Sequence, residues 1–348
     1  MILPDICIFT FSVLIFKMAT CWGVAGCGLI SHDFTTAIGT HEPGKHKVVA
    51  CAARKLEAAQ EFAKKHGIEK AYGDYAMLAQ DPQVEVVYVG AINPAHLPLA
   101  KMFIEAGKAV LCEKPLAMNL KETKELVELA RDKGVFLMEA VWSRCLPAYR
   151  ALAKELEDEK IGEVKQVIAS FGEVIAAPRM HSKELGGGTI LDLGIYTIQL
   201  AQLVFGGEEP LVVGSGHQGE DGCDESTSVT LLYSKGRTAN LVTHSRVQLP
   251  NIATIIGTKG TITVPKPMWT PLSLVTPTGT MEFELPGPSS HQYNFANSAN
   301  MAHESEHVRE CLLAGLKESP LVSLEETVTM ARIMETVRRQ VGVTYHQD

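Results

Sequence analysis

From Thr20 onward, runs of apolar residues alternate with stretches in which apolar positions recur every three or four residues. Cys21–Ala25 is a short apolar run that ends in the turn Gly26-Cys27-Gly28, and the pattern predicts a helix from there through Thr36. Lys47–Ala53 is a second apolar run, closing on Arg54, and Leu56–His66 carries an amphipathic helical pattern. Strands over Val84–Gly90, Ala109–Cys112 and Val135–Glu139 then alternate with helices over His96–Ala106 and Leu120–Lys133. Apolar strands separated by helices of about ten residues are the mark of βαβ units, whose parallel sheet is buried on both faces.

The pattern changes after about Val141. A helix over Tyr149–Leu156 is followed by alternating segments at Val164–Phe171, Ser226–Tyr233, Thr238–Val247, Ile252–Ile256, Gly260–Val264, Leu272–Val275 and Met281–Leu285. Short turns such as Ser234-Lys235-Gly236 and Thr258-Lys259-Gly260 join some of them. Alternation with one polar face predicts a mostly antiparallel sheet. Helices are expected at Leu191–Val204, Met301–Ala314 and Ser323–Gln340. They are few for strands this long, and an uncovered sheet face calls for a second subunit, so a homodimer packed sheet on sheet is expected.

The predicted architecture is an α/β Rossmann domain over residues 18–140 and an α+β substrate and dimerisation domain over 141–348. The second domain carries a large, mostly antiparallel open sheet. Residues 1–17 stand apart. Their apolar run, Ile6–Phe16, has the length of a signal-peptide core and is too short to span a bilayer. No Lys or Arg precedes the run, and Met18 reads as a fresh start. The segment is therefore read as an extension outside the fold, with a signal, an anchor or a buried arm as the alternatives.

Composition narrows the function. The chain has 32 basic against 40 acidic residues, a net charge of −8, and lacks the basic stripe that nucleic acid requires. Its eight cysteines form no CxxC, and no Asn-X-Ser/Thr sequon occurs. That excludes a zinc ribbon and a dithiol redox motif and fits a reducing cytosol, so a cytoplasmic protein with no membrane partner is expected.

Gly26-x-Gly28 stands between the first strand and the first helix, where glycines let a dinucleotide pyrophosphate approach the helix N-terminus. Ser31 takes the place of the usual third glycine. NAD-binding folds place an acid at the end of the second strand to grip the ribose 2′-hydroxyl. Here that strand ends at Arg54, followed by Lys55, and a guanidinium clamps a 2′-phosphate, so NADP is the expected cofactor. The candidate dinucleotide set is Gly26, Gly28, Leu29, Ile30, Arg54, Asn93, His96 and Glu113.

Leu111-Cys112-Glu113-Lys114-Pro115 ends a parallel strand and aims Lys114 into the crevice where ligands bind in such sheets. Far downstream, Gly186-Gly187-Gly188 leads to Asp192 and Tyr196, which share a helix face at i and i+4. A lysine near a tyrosine suits alcohol oxidation, because an ammonium lowers the phenol pKa and the phenol can then take the hydroxyl proton.

Strand-GxG, the EKP tripeptide and GGG-x-x-x-D-x-G before a helix together resemble the glucose–fructose oxidoreductase/inositol dehydrogenase (Gfo/Idh/MocA) family, from about Thr20 to the C-terminus. SHDF, LCEKP, LMEAVWSR, LDLGIY, GTKG and the C-terminal VGVT are similar to its dimeric branch of NADP-linked dihydrodiol and D-xylose dehydrogenases. The wider family mostly carries His at the position of Tyr196, and this branch carries Tyr. The resemblance implies that Lys114 and Tyr196 are the catalytic pair and that Asp192 contacts substrate or orients the pair. It also implies that Trp142, Phe171 and Phe295 line the substrate pocket, and that Asn93 and His96 approach the nicotinamide ribose. From the residues alone, Asp192, Asn93 and His96 read equally as helix caps, and the three aromatics as core. The stretch GEVIAAPRMHSKEL after Phe171 departs from the branch, which leaves substrate preference open.

Two other readings stand beside this one. His303-Glu304-Ser305-Glu306-His307 fits the H-E-x-x-H pattern of zinc hydrolases, without an evident third ligand downstream, so no metal is expected. A non-catalytic NADP-binding sensor is the other.

Overall fold

The computed structural model describes residues 19–348, and the apolar leader 1–17 lies outside the described residues. Six strands form a parallel sheet in the order β3-β2-β1-β4-β5-β6. They are β1 (Thr20–Ala25), β2 (His46–Ala52), β3 (Lys70–Tyr72), β4 (Val86–Val89), β5 (Ala109–Glu113) and β6 (Leu137–Ala140). The helices between them are α1 (Leu29–Ile38), α2 (Leu56–His66), α3 (Tyr75–Gln80), α4 (His96–Glu105) and α5 (Leu120–Lys133). Every residue of β4, β5 and β6 is buried, as their continuous apolar character demands. The strand order reverses between β1 and β4, which opens a crevice at their C-terminal ends.

The helix ends follow local chemistry. Asn119 accepts the Glu122 N–H at the start of α5, and Gly134 ends it with φ 61°, so the predicted and observed spans coincide. Gly67 closes α2 in the same way with φ 65°. The sequence pattern missed β3 and α3, of three and six residues, because neither is long enough to show a period.

Ser31 in place of the third glycine has a structural explanation across the sheet. A Cβ placed on Gly90 would lie 2.2 Å from Ser31 Oγ, so the space a glycine would leave on α1 is left instead at the end of β4. Gly90→Ala is therefore expected to destabilise the fold by about 1–3 kcal/mol. Adding Ser31→Gly should recover part of that loss in a denaturant melt, because the buried Tyr88 ring still stands 2.8 Å from the new Cβ. Additive losses would contradict this packing account.

The second sheet has eight strands in the order β14-β13-β12-β11-β7-β10-β9-β8. They are β7 (Val164–Gly172), β8 (Leu211–Gln218), β9 (Asp224–Leu232), β10 (Thr238–His244), β11 (Ala253–Gly257), β12 (Gly260–Val264), β13 (Ser273–Thr276) and β14 (Gly279–Glu282). Within it β7 and β10 pair in parallel, and the other pairs are antiparallel. The expectation missed β8, whose Gly214 and Gly216 break the alternation. Helices α6 (Pro147–Glu157), α7 (Ile195–Phe205), α8 (Met301–Leu313) and α9 (Leu324–Val341) complete the described fold. α7 packs on β7 and β10, and α9 on β8 and β9. On the sheet, Ile168, Val213, Leu232, Val242 and Val275 remain exposed.

Candidate active site

The turn after β1 is built to admit a phosphate. Gly26 has φ 93°, and a Cβ there would lie 2.7 Å from the Gly90 carbonyl oxygen, so only glycine lets the turn sit on β4. A Cβ on Gly28 would meet nothing within 4 Å. Gly28 caps α1 without a side-chain bond, and no acid stands in the first turn, which leaves the helix N-terminus open to an anion. Leu29 is exposed beside it and Ile30 half-buried. Arg54 is exposed just past the end of β2. These residues fit a dinucleotide.

Asn93 and His96 tie the adjoining loops together. Asn93 Nδ2 donates to the Gly186 carbonyl at 2.9 Å. His96 is fully buried, with Nδ1 2.8 Å from the Pro115 carbonyl and Nε2 3.1 Å from the Ala91 carbonyl. The imidazole thus braces the loop after β4 against the one carrying Lys114. The glycine triplet owes its composition to crowding. A Cβ on Gly186 would lie 2.8–2.9 Å from Pro94, Asn93 and Met118, and one on Gly187 2.3 Å from the Arg179 carbonyl. The chain then runs through a single wide π-helical turn, Ile190–Gly194, before α7 begins. Buried Asp224 holds its start by accepting Thr189 Oγ1 at 2.6 Å and the Ile190 N–H at 2.7 Å.

That path delivers Asp192 and Tyr196 to Lys114. Lys114 Nζ donates to the Asp192 carbonyl at 2.8 Å and to Oδ1 at 3.2 Å, and lies 4.9 Å from the centre of the Tyr196 ring. Arg179 donates to both Asp192 oxygens, at 3.2 and 3.0 Å. Burial opposes ionisation of Asp192, yet Lys114 and Arg179 hold its carboxyl below the usual range. Trp142 Nε1 donates to Tyr196 Oη at 2.8 Å.

One expectation is corrected. The phenol of Tyr196 is not lowered: burial, and then the nearby Glu113 carboxylate, push it well above the usual tyrosine value, and the Trp142 bond opposes them. Lys114 sits over the ring face rather than at the oxygen, and Asp192 offsets its charge. Glu113 itself is buried and accepts the Tyr88 hydroxyl at 2.6 Å.

Phe171 lies 5.7 Å from the Tyr196 ring and stacks on Trp269 at 3.7 Å, while Trp142 meets the Tyr196 hydroxyl. The Phe295 N–H donates to Asp33 of α1 at 3.0 Å. Sequence reasoning did not single out Arg179 or Trp269. Arg179 falls in the stretch that departs from the branch, and Trp269 in a loop without periodicity. The H-E-x-x-H stretch lies on α8, where His307 Nε2 meets Ser319 Oγ at 2.7 Å and Glu304 is fully buried.

Glu139 on β6 supports the Lys114 loop by accepting the Leu116 N–H at 2.9 Å, and burial pushes its pKa up to about 7. An unfolded glutamate titrates near 4.3. The folded value is the higher one, so the stabilisation is complete below about 4 and is lost as pH rises through about 7. Glu139→Gln cannot ionise. Its melting temperature should gain on the wild type from about pH 4 to about pH 7 and keep that lead at higher pH. A difference independent of pH would contradict this assignment.

The oxidoreductase family with an NAD-binding Rossmann fold, GFO/IDH/MocA, matches residues 21–141, and the family's C-terminal domain matches residues 149–263. A trans-1,2-dihydrobenzene-1,2-diol dehydrogenase from Danio rerio is 49% identical over 334 residues, covering 95% of this chain and 99% of its own length. A levoglucosan dehydrogenase, solved with NADH and levoglucosan, shares the fold at a TM-score of 0.81 and 20% identity, with 93% of this chain and 97% of that one covered. A 3-ketoreductase from Actinomadura kijaniata, solved with NADP, gives a TM-score of 0.79 at 25% identity, with 94% and 99% covered. With both halves matched and an NAD(P)-type cradle beside a lysine–tyrosine pair, the chain belongs to the Gfo/Idh/MocA family of oxidoreductases.

Proposed function

We propose that this enzyme is an NADP-dependent dehydrogenase that removes hydride from a CH–OH carbon of a trans-dihydrodiol, giving catechol, or of ring-form D-xylose, giving the lactone. The observation that carries this reading is the buried Tyr196 hydroxyl, with Trp142 donating to it and Lys114 against its ring. A dinucleotide would supply the hydride acceptor, and the turn Gly26–Gly28, the first residues of α1 (Leu29 and Ile30) and, for a 2′-phosphate, Arg54 would hold it.

The chain's own residues handle the proton. Tyr196 Oη takes the substrate hydroxyl proton in its ionised form, the phenolate that rising pH populates. The Trp142 N–H donates to that oxygen and stabilises the phenolate before the proton arrives. Lys114 adds a cation beside the ring, and Asp192 with Arg179 keeps it in place. Phe171, Trp269 and Trp142 offer flat apolar faces that suit a planar diene or the apolar face of a pyranose. For the dihydrodiol, the ketone formed tautomerises to catechol, and aromatisation drives the step. Asn93, His96 and Glu113, at the ends of β4 and β5, brace the side of the site where the nicotinamide would lie. Turnover of NADP with trans-dihydrobenzenediol and with D-xylose tests the reading. Binding of NADPH without turnover of either would mark a sensor instead.

The exposed apolar side chains Ile168, Val213, Leu232 and Val242 on the large sheet support a homodimer formed sheet on sheet. Sedimentation should give twice the 37.8 kDa chain mass, and Val242→Lys with Ile168→Lys should give monomers. Wild-type monomers at micromolar concentration would contradict this. The seven described cysteines are all free, which supports a cytosolic location.

A further inference from the structure

Between β14 and α8 the chain runs through residues 283–297 without helix or strand. A stretch of that length within a compact domain usually has a task. Its middle is held by α1 of the other sheet's layer. Asp33 is completely buried, and its carboxylate is used up by this strap. The Asn294 N–H donates to Oδ1 at 2.9 Å and Oδ2 at 3.1 Å, Asn294 Nδ2 to Oδ1 at 2.8 Å, and the Phe295 N–H to Oδ2 at 3.0 Å. Asn294 Nδ2 also lies 3.2 Å from the Leu29 carbonyl, in the first residue of α1. His32 Nε2 reaches the Gln292 carbonyl at 3.0 Å.

Three residues on one side of α1 thus grip the strap, and the first of them follows Gly28 of the phosphate turn. The strap leaves Phe295 about half exposed, with Leu29 exposed beside the same turn. Leu29 opens α1 and Phe295 has its backbone tied to Asp33 on the same helix, so these two exposed apolar side chains offer surface that a bound dinucleotide would cover. We propose that residues 288–297 form a wall of the dinucleotide site and that Asp33 is the positioning residue that latches this wall against α1. The proposal rests on the dinucleotide reading above. A ligand enclosed by the strap leaves only when the strap loosens, so the latch governs the coenzyme release rate.

Asp33→Asn keeps the shape but puts an amide NH2 where both carboxylate oxygens accept N–H groups, so at least one strap donor loses its acceptor. The test measures NADPH and NADH release by stopped-flow fluorescence, hydrogen exchange of residues 288–297 with and without NADPH, and the melting temperature. Bound NADPH is expected to slow exchange of the strap in the wild type. Asp33→Asn is expected to speed that exchange, abolish the protection and raise the release rate about tenfold. Asn294→Ala, which removes only the side-chain clamp, should act in the same direction with a smaller effect, and it carries the test if Asp33→Asn fails to fold. Faster strap exchange with unchanged release would overturn the proposal, as would strap exchange that neither NADPH nor the substitution alters. A wild type that binds neither coenzyme defeats the dinucleotide reading itself. That result is distinct from a latch variant that binds as tightly as the wild type.

Discussion

Lys114→Met and Tyr196→Phe are each expected to lower kcat for alcohol oxidation by about 10³-fold or more, with far smaller changes in coenzyme affinity. Tyr196→Phe removes the oxygen placed to take the proton and leaves the Trp142 indole N–H without its acceptor. Lys114→Met takes the cation from the ring face and leaves Asp192 paired with Arg179 alone. The two losses should not multiply, because both act on one proton transfer. Burial holds the Tyr196 phenol above its usual value, so oxidation should speed up as pH rises through the neutral range while carbonyl reduction should not. Near-wild-type rates in both variants would mean that the proton leaves by another route.

Arg54→Asp is expected to shift the kcat/KM ratio for NADP over NAD by about 10²- to 10⁴-fold toward NAD. The substitution replaces a guanidinium with a carboxylate at an exposed position past β2, where it repels a 2′-phosphate and accepts a ribose hydroxyl. Steady-state kinetics with both coenzymes on both proteins measure it. An unchanged ratio would place the 2′-phosphate elsewhere or make NAD the natural partner.

Much of this fold is legible in the order of the amino acids. The parallel strands announce themselves because burial on both faces leaves them continuously apolar, and Asn119 and Gly134 mark α5 to the residue. Lys114, Asp192 and Tyr196 could be paired because strand-end and helix-face positions are strongly constrained. What failed to show was tertiary. The Tyr196 phenol is raised by burial and by Glu113, and neither effect can be read from a lysine's presence in the sequence. Arg179 reaches Asp192 from a segment with no period, and Trp269 meets Phe171 only through the sheet's closure. The exchange of a third glycine for Ser31 makes sense only once Gly90 is seen opposite it.

The proposed function rests on direct hydride transfer from a substrate carbon at the Lys114–Tyr196 site. D-xylose deuterated at C1, turned over with NADP, tests it most directly. The deuterium is expected in the NADPH formed, one label per lactone, and Tyr196→Phe is expected to suppress this transfer. Deuterium found in solvent water, or lactone formed without reduced coenzyme, would contradict it.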